Sequence, residues 1–98
     1  MDLCIEKIIY LLRVLKYKES GEYILNSFKD KPSKVYQNGT KEWHKDNLLH
    51  REDDKPAVIY PNGDCEWWIE GKRHRIGGPA VVYKNMQCWY VDGEFLNV

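Results

Sequence analysis

An excess of charge of either sign is missing from this chain, in which fifteen Lys and Arg stand against fifteen Asp and Glu over 98 residues. Without a long-range field of one sign, nucleic acid and anionic membrane surfaces are not expected partners. Cysteine is also scarce, and Cys4, Cys65 and Cys88 contain no Cys-x-x-Cys pair. An odd count cannot close a complete disulfide framework, so reduced thiols in a cytoplasm are the expectation. His44, His50 and His74 fall at no zinc-ligand spacing with those cysteines, so neither a metal site nor a cofactor is expected. No apolar run approaches the roughly 20 residues of a membrane span. The apolar stripe in MDLCIEKIIYLLRVLKYKES is interrupted by Glu6, Lys7 and Arg13, and no small-residue cleavage site follows. Secretion and membrane insertion are therefore not expected. Nor does any Cys or Ser lie beside a recognisable base. Glu66 and Glu70 read as exposed strand residues and Glu52-Asp53-Asp54 as a solvated turn, so no general acid/base pair and no enzyme is expected.

What the chain does contain is repetition. The stretch Pro56–Gly78, PAVIYPNGDCEWWIEGKRHRIGG, has a copy before it in Pro32–Lys55, PSKVYQNGTKEWHKDNLLHREDDK, and a shorter one after it in Pro79–Val98, PAVVYKNMQCWYVDGEFLNV. The copies keep Pro, a β-branched residue, Tyr and Asn in the first half and Trp in the middle; the two complete ones add His-Arg near the end. A period of about two dozen residues signals a stacked repeat array. Each copy reads as strand, turn and strand. Asn38-Gly39 and Asn62-Gly63 are strong hairpin signals, whereas the third copy has Lys84-Asn85-Met86-Gln87, one residue shorter, and predicts a different turn.

Alternation along the second strands assigns faces. Trp67 and Ile69 point one way and Glu66, Trp68 and Glu70 the other; Trp43 and Trp89 belong with Trp67, forming a ladder of indoles, and Tyr90 matches Trp68. Burying one such ring contributes on the order of 2–3 kcal/mol, so the ladder reads as core. His44, Trp68 and Tyr90 then face outward as candidate anchors for a protein partner. His50-Arg51 and His74-Arg75 recur on successive linkers. Arg holds carboxylate or phosphate bidentately and His adds a donor, so the pairs are a candidate anion or nucleotide site; equally, they satisfy backbone carbonyls and the acidic residues Glu52, Asp53 and Glu70 of neighbouring repeats.

Before the repeats, Asp2 to Lys18 place Ile5, Ile8, Ile9, Leu12 and Leu15 at helical spacing, with Leu3, Leu11 and Val14 widening the apolar face. Ser20-Gly21 breaks this pattern, and Glu22–Lys29 reads as either a second short helix or a strand. The predicted fold is α+β: one or two N-terminal helices, within residues 1–31, packed on or capping a twisted antiparallel sheet of three repeat hairpins (32–55, 56–78 and 79–98) in one compact domain.

At Trp67, Trp68, Gly71, His74, Arg75, Gly78, Pro79, Ala80 and Val81 the chain resembles the WYxxGxxHRxxGPAV type of repeat. That repeat occurs in proteins of phages, giant viruses and bacteria and is loosely related to MORN (membrane occupation and recognition nexus) repeats. The resemblance covers Pro32–Val98. The first copy departs from it at Asn47 and at Asp54-Lys55, where Gly is usual, and the third stops before His-Arg. The resemblance implies a β-hairpin array used as a binding scaffold. With the small size of the chain, it leads to the expectation of a non-enzymatic protein-binding module, a phage-type accessory protein that inhibits a host macromolecule such as a defence nuclease in the host cytoplasm. The alternatives are a small anion- or nucleotide-binding protein using His50, Arg51, His74 and Arg75, and a self-assembling structural repeat protein; a homodimer stays open.

Overall fold

The computed structural model describes residues 15–17 and 23–96. Thirteen short strands make up the described chain: β1 (Leu15–Tyr17), β2 (Tyr23–Leu25), β3 (Lys34–Val35), β4 (Lys41–Glu42), β5 (His44–Lys45), β6 (Leu48–Leu49), β7 (Val58–Ile59), β8 (Cys65–Glu66), β9 (Trp68–Ile69), β10 (Lys72–Arg73), β11 (Val81–Tyr83), β12 (Met86–Val91) and β13 (Glu94–Leu96). Seven of them form one antiparallel sheet in the order β13-β12-β11-β8-β7-β4-β3, and β1–β2, β5–β6 and β9–β10 are separate two-stranded ladders.

The expected α+β class is thereby corrected: the described residues are all-β and contain no helix. Leu15–Tyr17, the end of the predicted amphipathic helix, is a strand, with Leu15 opposite Leu25 and Tyr17 opposite Tyr23. The undecided segment beginning at Glu22 likewise supplies a strand, β2, and no second helix. The physical reason is tertiary. Leu25, Asn26 and Ser27 bond to the next hairpin, and such pairing overrides the weak local propensity of a short apolar run. The rest of the predicted helix, residues 2–14 and 18, lies outside the described residues. Among the described residues no helix is long and apolar enough to cross a membrane.

The tryptophans explain why the strands are so short. Trp43 N–H donates to Ala57 O, extending the seven-stranded sheet, while Trp43 O accepts His50 N–H, which closes the β5–β6 hairpin. Trp67 does the same with Ala80 and His74. Each Trp is thus the residue at which the chain passes from one ladder to the other. In the third copy β12 runs unbroken through Trp89. Ser33, Ala57 and Ala80, all buried, donate to Glu42, Glu66 and Cys88, so small residues recur at one position of the sheet.

Successive hairpins are joined by a repeated set of bonds. The turn amides of Asn47, Gly71 and Gly93 donate to the carbonyls of Leu25, Leu49 and Arg73 at 2.9, 2.8 and 2.8 Å. The amides of Asp46, Glu70 and Asp92 donate to the side chains of Asn26, His50 and His74. Ser27, Arg51 and Arg75 return bonds to the carbonyls of His44, Trp68 and Tyr90. Leu25-Asn26-Ser27 therefore does at the first junction what Leu49-His50-Arg51 and Arg73-His74-Arg75 do at the next two.

The turns that present these amides, Asp46-Asn47, Glu70-Gly71 and Asp92-Gly93, hold both residues at positive φ, the type I′ geometry that matches strand twist. The third repeat hairpin differs from the first two. Tyr36 and Tyr60 carbonyls accept Gly39 and Gly63 amides across longer turns, whereas Tyr83 pairs with Met86 around Lys84-Asn85.

Gly71 and Gly63 separate two effects. Both have positive φ, but a Cβ on Gly71 would stand 3.2 Å from Leu48 Cδ2, whereas one on Gly63 would meet nothing within 4 Å. The left-handed conformation costs an L-residue roughly 1–2 kcal/mol. In thermal denaturation, Gly63→Ala is expected to lose about that much and Gly71→Ala measurably more.

Candidate functional site

Register places Lys34, Glu42, Val58, Glu66, Val81 and Cys88 opposite one another across neighbouring strands. Residues so paired share a face. Glu66 lies between the buried side chains of Val58 and Val81 and is itself only 4% exposed. A carboxylate removed from water needs donors on its oxygens, and the surrounding strands supply them. Oε2 accepts the hydroxyls of Tyr60, at 2.8 Å, and Tyr83. Oε1 accepts Trp68 Nε1 at 2.8 Å and lies 3.9 Å from Arg73 Nη2. Burial first, and then the adjoining carboxylate, push both phenols above the ordinary tyrosine value. They stay protonated and donate.

From Glu66 the aromatic contacts spread outward. Tyr60 and Tyr83 meet edge to face, with ring centroids 6.1 Å apart. The Arg73 guanidinium lies 5.2 Å from the Trp68 ring and 5.4 Å from the Tyr90 ring. Tyr90 meets Phe95 edge to face at 5.5 Å, and Phe95 is 58% exposed. Tyr60, Tyr83 and Trp68 thus converge on a single carboxylate through their polar atoms, and Arg73, Tyr90 and Phe95 continue the same surface outward through ring contacts. An open groove of about 630 Å³ runs beside Tyr60, Pro61, Tyr83 and Lys84.

The first copy carries a looser version. Tyr36 donates to Glu42 Oε1 at 3.2 Å, and His44 Nε2 stands 3.6 Å from the same oxygen. His44 Nδ1 meets the Ser33 hydroxyl. Burial holds the His44 imidazole below its ordinary value, against the opposing pull of Glu42. In the third copy Cys88 stands where the others have Glu.

A second constellation clasps the indoles. Arg51 donates Nε and Nη2 to the Asp30 carboxylate at 2.9 and 3.1 Å and Nη1 to Pro56 O at 3.1 Å. Its guanidinium lies 3.7 Å from the centre of the Trp43 ring, and Trp43 Nε1 donates to Asp30 O. Arg75 repeats this with Asp54 at 2.9 and 3.3 Å, with Pro79 O at 3.1 Å, and with the Trp67 ring at 3.8 Å; Trp67 Nε1 donates to Asp54 O. Over each of these two indoles lies a guanidinium from the same repeat, and the N-terminal helix expected to pack on the sheet falls, but for Leu15–Tyr17, outside the described residues. Asp30 and Asp54 have φ of 57° and 55°, a conformation that costs a non-glycine residue roughly 1–2 kcal/mol. The bidentate charge-assisted pairs offset that strain. Arg51, then Lys55, holds Asp30 well below the usual carboxylate value, and Arg75 lowers Asp54.

The candidate residues read from the sequence divide accordingly. Trp68 and Tyr90 are half-buried on the aromatic face. His44, expected to point outward beside them, is buried. Arg51 and Arg75 direct their forks at Asp30 and Asp54, and not at Glu52, Asp53 or Glu70. His50 accepts the Glu70 amide at Nδ1 and faces Glu52 with Nε2 at 3.3 Å; His74 accepts the Asp92 amide. Glu66, read as exposed, is buried; Asp54, read as part of a solvated turn, is the partner of Arg75; and Tyr60, Tyr83, Arg73 and Asp30 were not singled out. Two signals in the sequence pointed to them: Asp-Lys-Pro at 30–32 and 54–56 stands equally far before Trp43 and Trp67, and Tyr36 precedes Glu42 as Tyr60 precedes Glu66. Among the described residues no three His, Cys, Asp or Glu side chains converge as metal ligands.

No protein-family model, no curated protein and no solved structure matches the chain.

Strong acid should dismantle the clasp. Asp30 and Asp54 have lowered folded values, so their contribution is fully present above the ordinary carboxylate value of 3.8 and is lost as pH falls through the folded ones. His44, also lowered, adds an earlier decline that begins below its ordinary 6.5. Followed by tryptophan fluorescence, Asp30→Asn/Asp54→Asn is expected to be less stable than wild type at neutral pH but to lose less stability between about pH 4 and 2.

Proposed function

We propose that this chain is a non-enzymatic protein-binding module, a MORN-like hairpin array whose docking surface is the face bearing Trp68, Tyr90 and Phe95. The observation that carries the reading is the organisation of that face around Glu66. Exposed or half-exposed aromatics are held there by a buried carboxylate and by each other, so little side-chain freedom remains to be lost on association. Trp, Tyr and Arg are also the residues that most often dominate binding energy at protein interfaces. The resemblance of the repeats adds the setting: a small phage-type accessory protein that engages a host macromolecule, such as a defence nuclease, in the host cytoplasm.

The anion- or nucleotide-binding alternative has less support. Its four residues already have partners inside the fold, and a ligand would have to displace Asp30 or Asp54 from a bidentate pair.

Pull-down from a host lysate, followed by mass spectrometry, tests the docking face with two surface variants. Phe95→Ser removes an exposed ring from it, and Val35→Ser alters an exposed residue on the opposite face of the seven-stranded sheet. A partner retained by wild type and Val35→Ser, and weakened by about tenfold or more in Phe95→Ser, is expected. Equal capture by both variants would count decisively against this face.

A further inference from the structure

We infer that the partner presents a carboxylate group to Arg73, and that this contact selects which protein docks. The inference rests on the aromatic face being the docking surface. Arg73 stands in a column occupied at the other hairpins by Leu25, Leu49 and Phe95. Leu25, Leu49 and Arg73 accept the next turn amide through their carbonyls, and Leu49, Arg73 and Phe95 lie opposite His44, Trp68 and Tyr90. Three members of the column are apolar, so the architecture asks for an apolar side chain here. A guanidinium is not required by it.

Nor does the fold satisfy this guanidinium. Nε is buried without an acceptor. Among the described residues the only ion pair of Arg73 is the contact at 3.9 Å with Glu66 Oε1, an oxygen already accepting the Trp68 indole at 2.8 Å. Arg51 and Arg75, in contrast, each donate three hydrogen bonds. Arg73 is nevertheless held in place, because the rings of Trp68 and Tyr90 flank its planar group without engaging its donors. Its side chain is 35% exposed. Nε lies out of a guest's reach, but the terminal Nη groups of this restrained guanidinium, which make no hydrogen bond among the described residues, fit the two oxygens of a carboxylate end-on. The neighbouring Glu66 charge favours a singly charged guest over a phosphate. A nucleic acid would need a surplus of cations that this electrically balanced chain lacks. The occupant is therefore a protein segment carrying Asp, Glu or a C-terminus beside an apolar side chain.

Short random peptides, displayed and selected on the immobilised full-length protein, provide the test. Resynthesised binders are titrated against wild type, Arg73→Leu and Phe95→Ser. The expected binders share an acidic residue next to an apolar one. Arg73→Leu weakens them about tenfold or more. Exchanging the peptide acid for its amide weakens wild type by a similar factor and leaves Arg73→Leu unaffected. Because Leu is the residue used elsewhere in the column, Arg73→Leu is expected to melt at or above the wild-type temperature. Binders that need Phe95 but share no acid, or that hold Arg73→Leu as tightly as wild type, would overturn the carboxylate assignment and leave the docking face standing. A lowered melting temperature with loss of every binder would assign Arg73 to the fold and overturn the assignment too. Binders indifferent to Phe95→Ser, or a selection that yields none, would overturn both readings.

Discussion

A carboxylate withdrawn from water is tolerated only where donors replace its hydration, and Glu66 places that demand at the middle of this fold. Its donors come from three separate places in the chain, Tyr60 just after β7, Trp68 in β9 and Tyr83 at the end of β11, and the Arg73 guanidinium of β10 stands 3.9 Å away. Satisfying one side chain therefore fixes the seven-stranded sheet against the β9–β10 hairpin. This matters because the buried apolar set among the described residues is small, limited to Trp43, Ala57, Val58, Ala80 and Val81. A core this thin leaves much of the specification to polar groups.

The repeats show which features belong to the scaffold and which do not. Where the copies agree, the residues make the same bonds: Arg51 and Arg75 to Asp30 and Asp54, and the turn amides to the linkers before them. Where the copies diverge, some of the differences fall on the aromatic face, and others, such as Lys41, Cys65 and Gln87, fall on the opposite one. On the aromatic face Glu42, Glu66 and Cys88 share one position, as do His44, Trp68 and Tyr90, and so do Leu49, Arg73 and Phe95. The second and third copies bring the larger aromatics and the one guanidinium to that face. Divergence among internal copies is thus informative without any external relative, because each copy reports what the stacking geometry requires of the others.

The hairpins, their turns and the shared position of the tryptophans were readable from the sequence, since Asn-Gly and the recurrence of Trp each have a local physical cause. The N-terminal helix was misjudged where it can be compared. Leu15-Lys16-Tyr17 fits a period of 3.6 and a period of two equally well, and only its partner Tyr23-Ile24-Leu25 decides between them. The carboxylates paired with Arg51 and Arg75 were misassigned for a related reason: they come from the preceding linker, while Glu52, Asp53 and Glu70 are nearer in sequence. Alternation placed Glu66 and Trp68 on the same side, but it reports side and not depth. The burial of Glu66 follows from Val58 and Val81 flanking it and from two tyrosines folding over it, and no single strand encodes that.

The central claim is that Glu66 is a buried, fully engaged carboxylate and that its counterpart Glu42, with fewer partners and more solvent, is not. Equilibrium urea unfolding of Glu66→Ala beside Glu42→Ala compares the two directly. Loss of the former should cost about 2–4 kcal/mol, because Tyr60, Tyr83 and Trp68 are left without their acceptor, and loss of the latter about 1 kcal/mol or less. Equal and small losses at both positions would contradict the account.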